Sequence, residues 1–142
     1  MKVIKKAEFI KSEVDFSNYK GFDLPEIMLA GRSNVGKSSF INMLASNTKL
    51  AKVSATQGKT KVINFFKFNN EFIVADLPGL IEGASEGTGL GHKFLKHAMR
   101  TRVLAHVIDM GSYEGRDPIE DFEIIKNEID KYSKKLANKK QI

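Results

Sequence analysis

The chain has no cysteine and no tryptophan, and only three of its 142 residues are proline. Without cysteine there is neither a disulfide framework nor a thiolate metal site. No apolar run approaches the ~20 residues that a helix needs to cross a bilayer. Lys2, Lys5 and Lys6 give the N-terminus charge, but no hydrophobic stretch follows them, so the segment does not read as a signal peptide. These absences point to a soluble, intracellular, cytoplasmic protein without a membrane partner. The chain is also short of acid: 17 Asp and Glu stand against 23 Lys and Arg, a formal net charge of +6. The excess is partly terminal, with Lys2, Lys5, Lys6 and Lys11 at one end and Lys131, Lys134, Lys135, Lys139 and Lys140 at the other. Such a balance favours polyanionic partners, RNA included. An ordinary solvated surface explains the lysines equally well, because no aromatic–basic RNA-reading motif accompanies them. No DNA partner is expected.

What is present is organised around Gly31-Arg32-Ser33-Asn34-Val35-Gly36-Lys37-Ser38-Ser39, which reads G-x-x-x-x-G-K-S, the phosphate-binding loop pattern. The flanks supply the context that the pattern requires. Glu26-Ile27-Met28-Leu29-Ala30 suits a buried strand, and Ser38 to Ala45 suits a helix. Gly31 and Gly36 allow backbone angles and close approach that a side chain forbids. Successive N–H groups then form an anion nest, completed by the positive end of the helix. Lys37 reaches the outer phosphates as a point charge, and the Ser38 hydroxyl is placed to ligate Mg²⁺. The bland alternative is a glycine turn before a helix, with Lys37 solvated.

Along the chain, Val3 to Ile10 reads as an edge strand, and Asp15 to Asp23 has turn chemistry. Residues 46–61 read as a loop whose Thr56 and Thr60 are candidates for a mobile threonine on the metal and γ-phosphate. Val62 to Phe68 is rich in β-branched and aromatic residues. Asn69-Asn70 makes a tight turn, and Glu71 to Ala75 is the return strand. That strand runs into Asp76-Leu77-Pro78-Gly79, a D-x-x-G one hairpin after the phosphate loop. There Asp76 can hold Mg²⁺ through water and the Gly79 N–H can meet the γ-phosphate.

Leu80 to Gly91 holds four glycines with Glu82 and Glu86 and reads as a switch-like loop, its glutamates solvated rather than a general acid/base pair. A helix is expected over His92 to Arg102, and a strand over Val103 to Ile108. His92 and His97 are five apart and do not share a helix face, and His106 interrupts the strand, so no metal site is expected from the three. Asp109 to Asp117 is a loop, after which Pro118 opens a helix. Its Ile119, Phe122, Ile125, Ile129, Tyr132 and Leu136 recur at helical steps, so one face should pack on the sheet. The pattern predicts an α/β three-layer sandwich, mostly parallel with one antiparallel strand. Numbering the four predicted strands from Glu26 onward, the order is 2-3-1-4, with the ligand at their carboxyl ends.

These residues resemble the P-loop GTPases of the translational-factor-related (TRAFAC) class. Residues 22–79 resemble the EngB/YsxC family through Leu24-Pro25-Glu26-Ile27, Gly31 to Ser39, Thr56-Gln57-Gly58-Lys59-Thr60 and Ile63-Asn64-Phe65-Phe66. Residues 76–133 resemble the Obg family through Asp76 to Ala84, Gly87-Thr88-Gly89-Leu90-Gly91-His92, Arg100-Thr101-Arg102, His106 to Met110 and Glu114-Gly115-Arg116-Asp117-Pro118. Residues 1–142 therefore look like a partial G domain, EngB-type to about residue 79 and Obg-like after it.

The resemblance implies a GTP/GDP- and Mg²⁺-binding switch in large-subunit ribosome assembly, with links to the cell cycle, cell division and septation. It implies that Gly31, Arg32, Ser33, Asn34, Val35, Gly36, Lys37, Ser38 and Ser39 hold phosphate. Gly58, Lys59, Thr60, Lys61 and Val62 would form the first switch, and Asp76, Leu77, Pro78 and Gly79 the third motif. Ser38, Thr60 and Asp76 would hold the metal, and Lys37, Thr60 and Gly79 would serve the reaction. Asn34 stands where some relatives coordinate an activating K⁺.

Three departures matter. Gln57 replaces the usual proline of the EngB-type first switch. Leu80 stands where a water-orienting glutamine is found in Ras-like enzymes, so hydrolysis should be slow or depend on another group. The N/T-K-x-D base-recognition motif is not matched by Asn138-Lys139-Lys140-Gln141. With the later strands missing, the edge at Val103 to Ile108 should be exposed. An ATPase, or a non-catalytic fragment that binds phosphate weakly, are the competing readings.

Overall fold

The computed structural model describes residues 3–14, 20–53, 62–79, 90–112 and 114–142. Within them, strands β1 (Ala7–Glu13), β2 (Glu26–Ala30), β3 (Ile63–Phe68), β4 (Phe72–Asp76), β5 (Val103–His106) and β6 (Lys140–Gln141) form one sheet in the order β1-β3-β4-β2-β5-β6. Pairing is antiparallel for β1·β3 and β3·β4, and parallel for β4·β2, β2·β5 and β5·β6. Only β3 therefore runs against the rest, and the central four strands stand in the order that the sequence predicts.

The alternation of side chains along the strands divides the core in two. Met28, Ala30, Phe65, Ile73, Ala75 and Leu104 face one way, against Phe94, Leu95 and Ala98 of helix α2 (Leu90–Ala98) and Ile125 and Ile129 of helix α3 (Pro118–Tyr132). Leu29, Phe66, Phe68 and Val74 face the other way, against Ile41 of helix α1 (Lys37–Ala45). This is a three-layer sandwich.

The β3–β4 hairpin turns on Asn69 and Asn70, whose φ values of 51° and 55° are both left-handed. Such a pair matches the twist of the strands, and asparagine tolerates it better than other non-glycine residues. Asn69 also accepts hydrogen bonds from the Lys5 and Lys6 amides at 2.8 and 3.1 Å, which anchors the segment leading into β1.

Several boundaries differ from expectation. The edge strand is Ala7–Glu13 rather than Val3 to Ile10, α2 begins at Leu90, and β5 stops at His106. The outer edge of β5 is not open. It pairs with Lys140–Gln141, and Ile142 exchanges backbone hydrogen bonds with Leu104 and His106. The last predicted helix is two helices. Ser133 ends α3 in an extended conformation, and its hydroxyl caps helix α4 (Lys134–Ala137), which carries Leu136. Ile119 is 69% exposed, so the apolar face starts a turn later than the periodicity suggests.

A buried pair escaped the sequence reading. His97 Nε2 lies 3.1 Å from Glu26 Oε2, with Phe65 edge-on to the imidazole. The two residues are 71 apart in sequence, so no local pattern links them.

The first turn of α3 is well capped. Asp117 Oδ1 accepts from the Ile119 and Glu120 amides at 2.7 and 3.2 Å, and Pro118 follows where its missing N–H costs nothing. Asp117→Ala is expected to lower stability by about 1 kcal/mol, read as a lower urea midpoint at unchanged slope. Asp117→Asn should keep most of the loss from appearing.

Candidate phosphate-binding site

β2, β4 and β5 are parallel, so their carboxyl ends gather at one rim of the sheet. From that rim β2 leads through Gly31–Gly36 into α1, and β4 leads into Leu77-Pro78-Gly79. The loop and the D-x-x-G segment become neighbours because β2 and β4 are paired, with Leu29 in register with Asp76.

The loop conformation rests on particular residues. Gly36 sits at φ 103° and ψ 19°, and Asn34 at φ 63°, both left-handed. Alternating right- and left-handed residues turn successive backbone N–H groups to one side and create an anion-binding concavity. α1 starts at once, since the Phe40 amide donates to the Gly36 carbonyl at 2.8 Å. Its first N–H groups have no partner within the helix and add to the concavity. Gly31 is needed for a different reason: a Cβ there would lie 2.6 Å from the Val107 carbonyl oxygen. Gly79 is needed for a third, because a Cβ would lie 2.4 Å from the Ser33 amide nitrogen.

Lys37 is 8% exposed, and its ammonium donates to the carbonyls of Gly31 at 3.1 Å and Arg32 at 2.7 Å. The lysine thus ties the end of the loop to its start. Burial pushes its ammonium below the ordinary lysine range, against the opposing pull of the Asp76 charge. Asp76 is equally enclosed. Burial pushes its carboxyl up, opposed by the Lys37 charge and by the Ser38 hydroxyl, which donates to Asp76 Oδ2 at 2.9 Å.

The structure therefore brings together Lys37, Ser38 and Asp76, and sets Gly79 against Ser33, joining two segments some forty residues apart. Ser39 and Asn34 are exposed, while Arg32, Ser33 and Val35 are half-buried. Val62 is half-buried just before β3. Gly58, Lys59, Thr60 and Lys61, with Thr56, Leu80, Glu82 and Glu86, lie outside the described residues.

Two oxygen donors, one a carboxylate, at hydrogen-bond distance beside an anion-binding loop are the chemistry that Mg²⁺ selects. Ser38 and Asp76 fit such an ion. Among the described residues no cluster of three or more His, Asp or Glu is placed to hold a metal ion.

One side chain at the site was missed. Asp121, in the first turn of α3, lies 3.5 Å from the Arg32 guanidinium and accepts from Arg116 Nε at 2.9 Å. It lines a cavity of about 170 Å³ with Arg32, Ser33, Asn34, Asp109 and Arg116. In sequence Asp121 reads only as an acid near a helix N-terminus, where any acid is favoured.

Residues 26–142 match the profile of a family described as 50S ribosome-binding GTPase. The chain belongs to this family. Curated relatives include the GTPase Obg of Fusobacterium nucleatum, 49% identical over 121 residues, and that of Alkaliphilus oremlandii, 46% identical over 121 residues. Each match covers 84% of this chain and 28% of the relative, so the chain spans little more than a quarter of their length. A match of that breadth runs across both the EngB/YsxC-like and the Obg-like stretches.

Among solved structures, a point variant of S. thermophilus NFeoB bound to GDP.AlF4- aligns with a TM-score of 0.57 at 19% identity, covering 75% of this chain and 41% of that one. A second S. thermophilus NFeoB structure, bound to GDP.AlF4- and K+, aligns at 0.56 and 20%, covering 75% and 40%. At such identity these matches support the family's fold: the mixed sheet and three layers of a P-loop G domain. Among the described residues no helix is long and apolar enough to cross a membrane.

Proposed function

We propose that this chain is the nucleotide-binding part of an Obg-type GTPase, holding GTP or GDP with Mg²⁺ and hydrolysing GTP slowly as a molecular switch. The observation that carries the reading is the Ser38–Asp76 contact at 2.9 Å beside the buried Lys37 ammonium. It sets Ser38 and Asp76, the residues proposed to hold the metal, next to a buried cation that can meet a polyphosphate.

In this reading the amides from Ser33 to Ser39 bind the α- and β-phosphates, and Lys37 exchanges its loop carbonyls for phosphate oxygens. Ser38 and Asp76 hold Mg²⁺, which when bound neutralises charge that develops on the phosphate oxygens. In the same reading the Gly79 N–H meets the γ-phosphate. The EngB/YsxC-like pattern assigns Thr60, with Gly58, Lys59, Lys61 and Val62, to the first switch. Leu80 has no group to orient water, so turnover should rely on a partner or a cation. Asn34 is the candidate K⁺ ligand, and equal single-turnover rates in Na⁺ and K⁺ would remove it.

The partner proposed is the large ribosomal subunit, through rRNA or protein, during assembly in the cytoplasm. Roles in cell division and septation are extensions of the same resemblance.

Guanine preference also rests on family membership. Asn138 and Lys139 are no base-recognition pair: Asn138 ends α4, and the Lys139 ammonium donates to the Met99 and Thr101 carbonyls, at the strand ends away from the phosphate loop. Competition by Mg·ATP against a labelled GTP analogue separates a GTPase from an ATPase.

Asp76 gives a pH test. Its pKa is raised above the ordinary 3.8, so the ionised carboxylate is less favoured folded than unfolded. Stability of the nucleotide-free chain should fall as pH rises from below 3.8 through the folded value. Affinity for Mg·GDP should rise over the same window, because the metal needs the carboxylate. Asp76→Asn should abolish that pH dependence and the benefit of Mg²⁺, measured by labelled-GDP titration with and without the metal.

A further inference from the structure

The end of the sheet opposite the phosphate loop has its own chemistry. In a parallel α/β sandwich every helix that crosses over ends near the amino ends of the strands. α2 ends with Lys96 in its last turn, α3 with Lys131, and α4 holds Lys134 and Lys135. Cations are favoured at helix C-termini one by one, and the topology collects them on one pole. Two stretches nearly forty residues apart are then joined there. The Lys139 ammonium donates to the Met99 carbonyl at 3.0 Å and to the Thr101 carbonyl, on either side of Arg100. Lys140 stands in register with Val103, which places Arg102 beside Lys139 across the ladder. Lys96, Arg100, Arg102, Lys135 and Lys140 are all exposed. Crowding is electrostatically evident: burial first, and the neighbouring Lys135 charge second, push the Lys139 ammonium below the ordinary lysine range.

We propose that this pole, formed by Lys96, Arg100, Arg102, Lys135, Lys139 and Lys140, is a docking surface for the phosphate backbone of double-helical RNA. The choice of RNA over another polyanion rests on the ribosomal-partner reading above. These six residues offer point charges and guanidinium forks, with no aromatic side chain among them for stacking, so they suit a duplex backbone rather than splayed single-stranded bases. The pole also faces away from the phosphate loop, so RNA and nucleotide bind together without competing for one surface.

The test uses a fluorescein-labelled RNA duplex of about 20 base pairs, longer than the ~16 that a double-stranded-RNA module spans, and fluorescence anisotropy across a salt series. The triple variant R102E/K135E/K140E should lose at least about tenfold in affinity, and its log Kd should depend less steeply on log salt, by about two to three in slope. Lys139 is left intact because it binds backbone carbonyls. The variant K5E/K6E/K11E makes the same change in net charge at the β1 edge, on the far side of the sheet from β6, and should lose less than about threefold. Labelled GDP should bind both variants as it binds the parent, which shows that the fold and the nucleotide site survive.

Equal losses in the two triples, no RNA binding by the parent, or binding to vesicles of phosphatidylcholine and phosphatidylglycerol in place of RNA would each overturn the proposal. Loss of GDP binding by the parent would instead overturn the nucleotide reading, and the RNA series would still decide this one.

Discussion

Lys37→Ala is expected to weaken binding of Mg·GDP and Mg·GTP by about a hundred- to a thousandfold, or about 3–4 kcal/mol. The size follows from burial. The ammonium is 8% exposed and already desolvated in the folded chain, so a phosphate oxygen meets it without first displacing a full hydration shell. It also neutralises Asp76. Without it, the Asp76 carboxyl has lost its opposing cation and should take up a proton at a still higher pH. The pH window in which Mg²⁺ supports binding should therefore move upward in the variant. Fluorescence titration with a labelled GDP at two pH values checks both. An affinity within about threefold of the parent would mean that the lysine stays on the Gly31 and Arg32 carbonyls and does not serve phosphate.

Gly31→Ala should produce a large loss of stability, about 2–3 kcal/mol and roughly 10 °C in melting temperature. A Cβ there would stand 2.6 Å from the Val107 carbonyl oxygen and 2.9 Å from Val35 Cγ2. The Val107 segment cannot yield cheaply, because its amide donates to the Ala30 carbonyl at 2.8 Å. The methyl would thus push the phosphate loop off β2 and β5 together. Gly36→Ala tests another cause: nothing lies within 4 Å of a Cβ there, but φ is +103°. Its cost is backbone strain of about 1–2 kcal/mol, and it falls on the loop's shape rather than on its packing. Equal melting temperatures for Gly31→Ala and the parent would contradict the steric reading.

Much of this architecture is legible in the chain because its strands are strongly marked. Phe65, Phe66 and Phe68 declare β3, and Glu26 to Ala30 followed by the glycine loop declares β2. The central strand order then follows from connectivity, since the hairpin must return Asp76 to the side of the phosphate loop. The arrangement of the candidate site was legible for the same reason: glycines, a lysine, a serine and an aspartate at fixed spacing describe backbone geometry as well as chemistry. Pairings set by distant partners were not legible. Glu26 with His97 and Arg32 with Asp121 depend on the folded sheet bringing residues 71 and 89 positions apart into contact. Nor was β6 visible, because two residues with no apolar alternation carry no strand signal and gain their order from β5. The break at Ser133 was hidden as well, since the apolar spacing continues through it while its hydroxyl starts a new helix.

The role of the Gly31–Ser38 segment as a polyphosphate cradle meets its most direct trial in calorimetric titration of the purified chain and its Lys37→Ala variant with Mg·GDP. One-site, saturable heat in the parent, lost at the same concentrations in the variant, is the expected result. Absence of binding heat in the parent, or the same isotherm from both proteins, would contradict it.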